Sequence, residues 1–132
     1  MGKGHVILTA DDNEAFCYTT CRALEQYGFS TIPAHTGNET LRLAREHKPS
    51  LVILDVNMPD LNGYEVCRRL KAEDSTCNIP IIFLSATYHS NHAKDMGIAA
   101  GADAFLFAPI EPAQLTTVVQ GTLAKAAGGG KR

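Results

Sequence analysis

Short, wholly apolar runs alternate along this chain with longer stretches in which apolar residues recur every three or four positions. Val6-Ile7-Leu8-Thr9-Ala10 runs straight into acids and reads as a buried strand. Residues 13–27 then carry Phe16, Cys17, Cys21 and Leu24 on one helical face, with Gly28 as the stop. A weaker strand follows from Phe29 to His35, and Pro33 places it at a sheet edge. Thr36-Gly37-Asn38-Glu39 has the form of a capping box, opening a helix with Leu41 and Leu43 that ends before Pro49. Leu51-Val52-Ile53-Leu54 is the clearest buried strand, and Asn62 to Glu65 opens a helix carrying Val66, Cys67 and Leu70. Ile79 to Leu84 predicts a fourth strand, with Pro80 near its start. Residues 89–100 predict a helix of weak periodicity closed by Gly101. Ala104 to Phe107 predicts a fifth strand, and Pro112 opens a last helix with Leu115, Val118, Val119 and Leu123.

This is β-α repeated five times. Uniformly apolar strands alternating with helices predict an α/β fold, a parallel five-stranded sheet covered on both faces. Right-handed crossovers leave only a few doubly wound orders. Ligands in such sheets bind at the carboxyl ends of the strands.

The 132 residues suit one domain. At 45% hydrophobic and 20% charged, the composition is globular. Twelve basic against 14 acidic residues, with a pI near 6.2, argue against binding nucleic acid through bulk charge. No apolar run approaches the roughly 20 residues a bilayer demands, and no signal peptide is evident, so a cytoplasmic location is expected. Cys17, Cys21, Cys67 and Cys77 form no Cys-x-x-Cys pair. Cys17 and Cys21 stand one helical turn apart, a spacing open to a shared metal but more simply read as buried small hydrophobes. Residues 1–4 and 126–132, the latter including Gly128-Gly129-Gly130, are expected to be flexible ends around a domain spanning 5–125.

The chemistry sits where strands end. The first strand runs into Asp11-Asp12, the third into Asp55 and the fourth into Ser85. Parallel strands bring these groups to one rim. Three carboxylates together raise one another's proton affinity, and a hard divalent cation relieves the repulsion. A carboxylate beside such an ion is a competent nucleophile toward a phosphoryl group, and a serine hydroxyl can bond a phosphoryl oxygen. Taken singly, the acidic pair could be a turn or a helix cap, Asp55 a turn, and Ser85 an ordinary strand end.

Val6 to Asn13, the segment Leu51-Val-Ile-Leu-Asp-Val-Asn-Met-Pro-Asp-Leu-Asn-Gly63, Ile79 to Ala86 and Ala99 to Phe105 together resemble the receiver domain of two-component response regulators, over roughly residues 5–125. The resemblance implies a flavodoxin-like three-layer (βα)₅ sandwich with strand order 2-1-3-4-5. It implies Asp55 as phosphoacceptor and Mg²⁺ held by Asp11, Asp12, Asp55 and the Asn57 carbonyl. It also implies Ser85 and Phe105 as switch residues, with Asn57 and Thr87 tuning hydrolysis of the acyl phosphate. Met58-Pro59 and Gly63 would shape the loop after the acceptor. The donor would be a histidine kinase or a histidine phosphotransfer protein, acting on a domain that catalyses only its own phosphoryl transfer and dephosphorylation. The output domain or target is unread, neither membrane nor nucleic acid is an expected direct partner, and a weak homodimer through the last strand and helix stays open.

One position departs from that pattern. Ala108 stands before Pro109 where the family usually carries lysine, whose ammonium pairs with the phosphoryl group. His89, His92 and Lys94 lie in the preceding loop and helix as other sources of charge. The alternative reading is therefore a degenerate receiver that docks partners without switching. An FMN-binding flavodoxin-like protein would need a hydroxyl- or glycine-rich loop where Asp11-Asp12 stands, and a metal-dependent hydrolase would need a further acid/base residue.

Overall fold

The computed structural model describes residues 4–87 and 89–129. Five strands and five helices alternate: β1 (Val6–Ala10), α1 (Glu14–Glu25), β2 (Ser30–Ala34), α2 (Gly37–His47), β3 (Leu51–Leu54), α3 (Gly63–Ala72), β4 (Ile81–Ser85), α4 (Asn91–Ala99), β5 (Ala104–Phe107) and α5 (Pro112–Gly129). The strands form one parallel sheet in the order β2-β1-β3-β4-β5, the doubly wound arrangement expected. β2 lies at the edge, where Pro33 costs no interior ladder bond.

The central strands β1, β3 and β4 are almost wholly apolar because both faces are buried. Successive side chains point to opposite faces. Leu8, Ala10, Val52, Leu54, Ile81 and Phe83 pack with residues of α2, α3 and α4, among them Leu41, Val66, Leu70 and Ala93. Ile7, Leu51, Ile53, Ile82 and Leu84 pack on the other face with Leu24 of α1 and Leu115 and Val119 of α5. Most of the predicted boundaries shift by a residue or two. β4 begins at Ile81, not Ile79, because Pro80 has no amide to donate; its carbonyl still accepts from the Val52 amide at 3.0 Å.

The caps follow the sequence. Thr36 Oγ1 accepts from the Glu39 amide (3.0 Å) while Glu39 Oε1 accepts from the His35 amide (2.8 Å). Asn62 Oδ1 accepts from the Glu65 amide at the start of α3 (3.0 Å). The expected flexible end at 126–132 is corrected in part, because α5 stays helical through Gly129. The Ala124-Lys125-Ala126-Ala127 run has high helix propensity and carries the helix onto two glycines. Residues 1–3 and 130–132, the rest of the two expected flexible ends, lie outside the described residues.

Candidate functional site

Asp11 and Asp12 follow β1, and Asp55 follows β3, its neighbour in the sheet. One carboxylate oxygen from each lies within 4.8 Å of the other two. Backbone bonds hold these strand ends level: the Asp55 amide donates to the Ala10 carbonyl (2.9 Å) and the Asp11 amide to the Ala34 carbonyl (2.9 Å). Asp11 Oδ1 accepts from the Asn13 amide (2.9 Å), while Asn13 Oδ1 caps α1 through the Phe16 amide (2.9 Å). The Asp11 carbonyl accepts from His35 Nδ1 at 2.9 Å, since a carbonyl can only accept.

Asp11 and Asp55 are buried, whereas Asp12 is exposed. Burial is the main cause that pushes the Asp55 carboxyl up, to about 7, with Asp11 and Asp12 adding repulsion and the Val56 and Asn57 amides opposing it. Asp11 is raised as well, again first by burial. Three mutually repelling carboxylates in a partly dry rim form an all-oxygen donor set for a hard cation. That set fits Mg²⁺, and water can fill the coordination positions that the protein leaves open.

The loop after Asp55 is packed tightly against it. A Cβ on Gly63 would lie 2.1 Å from the Asp55 carbonyl oxygen, so only glycine fits where α3 begins. The Gly63 amide donates to the Val56 carbonyl (2.8 Å). Asn57 is exposed at the mouth and lines a cavity of about 280 Å³ with Asn62, Tyr64, Ser90, His92 and Met96.

Ser85 is the last residue of β4 and fully buried. The Ala108 amide donates to its carbonyl at 2.8 Å, joining the lysine-less position to the end of β4. The Ala108 methyl is itself buried, in the cluster with Leu84 and Leu115, and the Ala108–Pro109 peptide is cis. Phe105 lies inside the core, stacked on Phe83 at 5.4 Å between ring centres, rather than at the rim. Thr87 is exposed in the turn after β4. His89 packs against Phe107 (5.4 Å), His92 lines the cavity, and none of His89, His92 and Lys94 is among the main influences on Asp55. The sequence reading missed Asp60, whose carboxylate reaches α2; the separation of 22 and 23 residues leaves no local pattern to find. Cys17 and Cys21 are buried free thiols, and Cys17 Sγ donates to the Thr9 carbonyl (3.4 Å).

The chain is similar to known proteins over nearly its whole length. It is 34% identical over 117 residues to the alkaline phosphatase synthesis transcriptional regulatory protein PhoP of Bacillus subtilis, covering 89% of this chain and 48% of that one. The chain thus spans about half the length of that relative. It is 32% identical over 118 residues to protein PilH of Pseudomonas aeruginosa, covering 89% of this chain and 97% of PilH. A response regulator crystal structure from Chloroflexus aurantiacus superposes with a TM-score of 0.88 at 32% identity, covering 92% of this chain and 99% of the other. The model of the response regulator receiver domain matches residues 7–120, and with this sheet order and this carboxylate rim the chain belongs to that family, the receiver domains of two-component systems.

Proposed function

We propose that this domain accepts a phosphoryl group on Asp55 from a phosphohistidine donor, a histidine kinase or a phosphotransfer protein, and that the phosphorylated state alters partner binding. The observation that carries this reading is the convergence of the Asp11, Asp12 and Asp55 oxygens within 4.8 Å, with the middle strand's acid buried. An Asp55 carboxylate oxygen attacks phosphorus in line. The P–O bond forms as the P–N bond to the donor histidine breaks, and the imidazole nitrogen keeps the electron pair. Asp11, Asp12, Asp55 and the Asn57 carbonyl would hold Mg²⁺, which when bound offsets the negative charge on the phosphoryl oxygens.

The chain's own groups do the rest. Asp55 must be ionised to attack, and its raised proton affinity means that the neutral form competes near pH 7. The Val56 and Asn57 amides stabilise the anion and orient it. Ser85, the last residue of the neighbouring strand, would donate from its Oγ to a phosphoryl oxygen. Phe105 sits beside Gly97 of α4, where an added Cβ would lie 2.7 Å from the ring, so ring movement and α4 position are coupled by contact. This is a route from the rim to the α4-β5-α5 face. Asn57 and Thr87, at the mouth, would set the access of the hydrolytic water. With Ala108 in place of lysine, the phosphoryl group loses one charge-assisted bond, a contribution of roughly 1.5–3 kcal/mol, and the switch is correspondingly weaker. The intact carboxylate trio favours acceptance over a docking-only role.

The reading is tested by intact mass after incubation with acetyl phosphate and Mg²⁺. One added phosphoryl group is expected, absent when EDTA replaces Mg²⁺ and absent from D55N. A wild type that gains nothing from either acetyl phosphate or a phosphorylated phosphotransfer protein overturns it.

A further inference from the structure

The loop that follows the acceptor is tied down from outside the site. The Asp60 carboxylate accepts from the Gly37 amide (2.9 Å), the Asn38 amide (3.2 Å) and Asn38 Nδ2 (2.9 Å), all in the first turn of α2. The Thr36 side chain serves the Glu39 amide there. The cap of α2 is thus divided between a residue of its own approach and a residue of the acceptor loop.

The loop end of this tie is strained. Asp60 has φ 66°, in the left-handed region. The Leu61 amide donates to the Pro59 carbonyl at 2.7 Å, closing a three-residue turn about Asp60. The approach is also close: a Cβ on Gly37 would lie 2.4 Å from the Leu61 carbonyl oxygen. A non-glycine residue stays in such a conformation only when its surroundings hold it there. Asn57 lies three residues before Asp60, and Gly63, bonded to the Val56 carbonyl, three residues after. The segment between is therefore anchored at Asp60 and at Gly63.

We propose that Asp60 is a positioning residue for the phosphoryl site: its carboxylate, fastened to the start of α2, holds the acceptor loop so that Asn57 turns its amide to Asp55 and its carbonyl to the metal. The Mg²⁺ part rests on the function proposed above; the loop part does not. A purely structural helix cap would affect the stability of α2 and leave the site alone, so the two roles separate experimentally.

Four proteins suffice: the wild type, D60G, D60N and T36A. Glycine accepts the positive φ and removes only the carboxylate, so D60G folds without added strain. Asparagine keeps an acceptor and tolerates the left-handed region. Thr36→Ala removes the other α2 cap without touching the loop. Two readouts are taken: Mg²⁺ affinity by calorimetry, and amide hydrogen exchange at Val56, Asn57 and Gly63 in EDTA. Partners that orient metal ligands are worth roughly 10–100-fold in affinity, so D60G is expected to bind Mg²⁺ about tenfold more weakly and to exchange those amides about tenfold faster. D60N should stay within about threefold of the wild type, and T36A within about twofold, on both readouts. Wild-type affinity and exchange in D60G overturn the proposal, as do equal losses in T36A. If the wild type itself binds no Mg²⁺, the functional reading fails, and the exchange comparison alone decides for or against the positioning role of Asp60.

Discussion

Replacing Asp55 by asparagine should make the metal-free protein more stable, by an amount that grows from about pH 4 and is full above about pH 7. Folding moves the Asp55 carboxyl from an ordinary 3.8 to about 7, first by burial and then by repulsion from Asp11 and Asp12. A folded-state acid with a raised pKa binds its proton more tightly than the unfolded chain does. Its neutral form costs folding nothing, so stability is highest below about pH 4 and falls as pH rises towards 7. At about 1.4 kcal/mol per pH unit, the full penalty is about 4.5 kcal/mol, and relaxation of the rim reduces it to about 2–4 kcal/mol. Asparagine has nearly the same shape and no charge. Urea denaturation in EDTA should therefore show D55N more stable than the wild type by about 2–4 kcal/mol at pH 8, with the difference shrinking steadily towards pH 4. Asp11, also raised, titrates in both proteins and largely cancels in the difference. Mg²⁺ at a hundred times its Kd should return about 2.7 kcal/mol to the wild type and much less to D55N. A D55N protein no more stable than the wild type at pH 8, or more stable by the same amount at every pH, would refute the reasoning.

Three further substitutions probe the same framework. Ala108→Lys places an ammonium one strand from Ser85; it should lower the Asp55 pKa, flatten the fall in stability between pH 4 and 7, and raise the phosphorylated fraction at steady state by intact mass. Gly63→Ala forces a Cβ to 2.1 Å from the Asp55 carbonyl; thermal unfolding should report a loss of about 3 kcal/mol or more, together with loss of phosphorylation. Thr9→Val removes a buried hydroxyl that makes no well-formed hydrogen bond among the described residues, so denaturation should show a gain of about 1 kcal/mol at unchanged Mg²⁺ affinity.

What the sequence disclosed follows from how each part is held. The central strands were legible because both faces are buried: Leu51 to Leu54 are apolar at every position and split between the two cores. α4 was hard to read because it packs through small residues. Its buried positions are Ala93 and Gly97, and Gly97 sits where a Cβ would meet Phe105, so there is little hydrophobic periodicity to detect. The acid trio was visible as three acids at two strand ends, and sheet order alone converts that into proximity. The repulsion within the trio was visible, but the larger cause of the raised Asp55 pKa was not, since it is burial. Nor was the bond from Asp60 to α2, which pairs an exposed loop acid with backbone amides that carry no sequence signature. Phe105 was legible as a residue of the fifth strand, but its burial against Phe83 depends on packing between strands. The glycine-rich end misled because the preceding alanines extend α5 to Gly129.

The most direct test of the central claim locates the phosphoryl group. The protein is phosphorylated with Mg²⁺ and a phosphohistidine donor, reduced with borohydride to trap an acyl phosphate as homoserine, digested, and sequenced by mass spectrometry. Homoserine at position 55, and at no other aspartate, is the predicted result; label at Asp11, Asp12 or a histidine, with Asp55 intact, would contradict it.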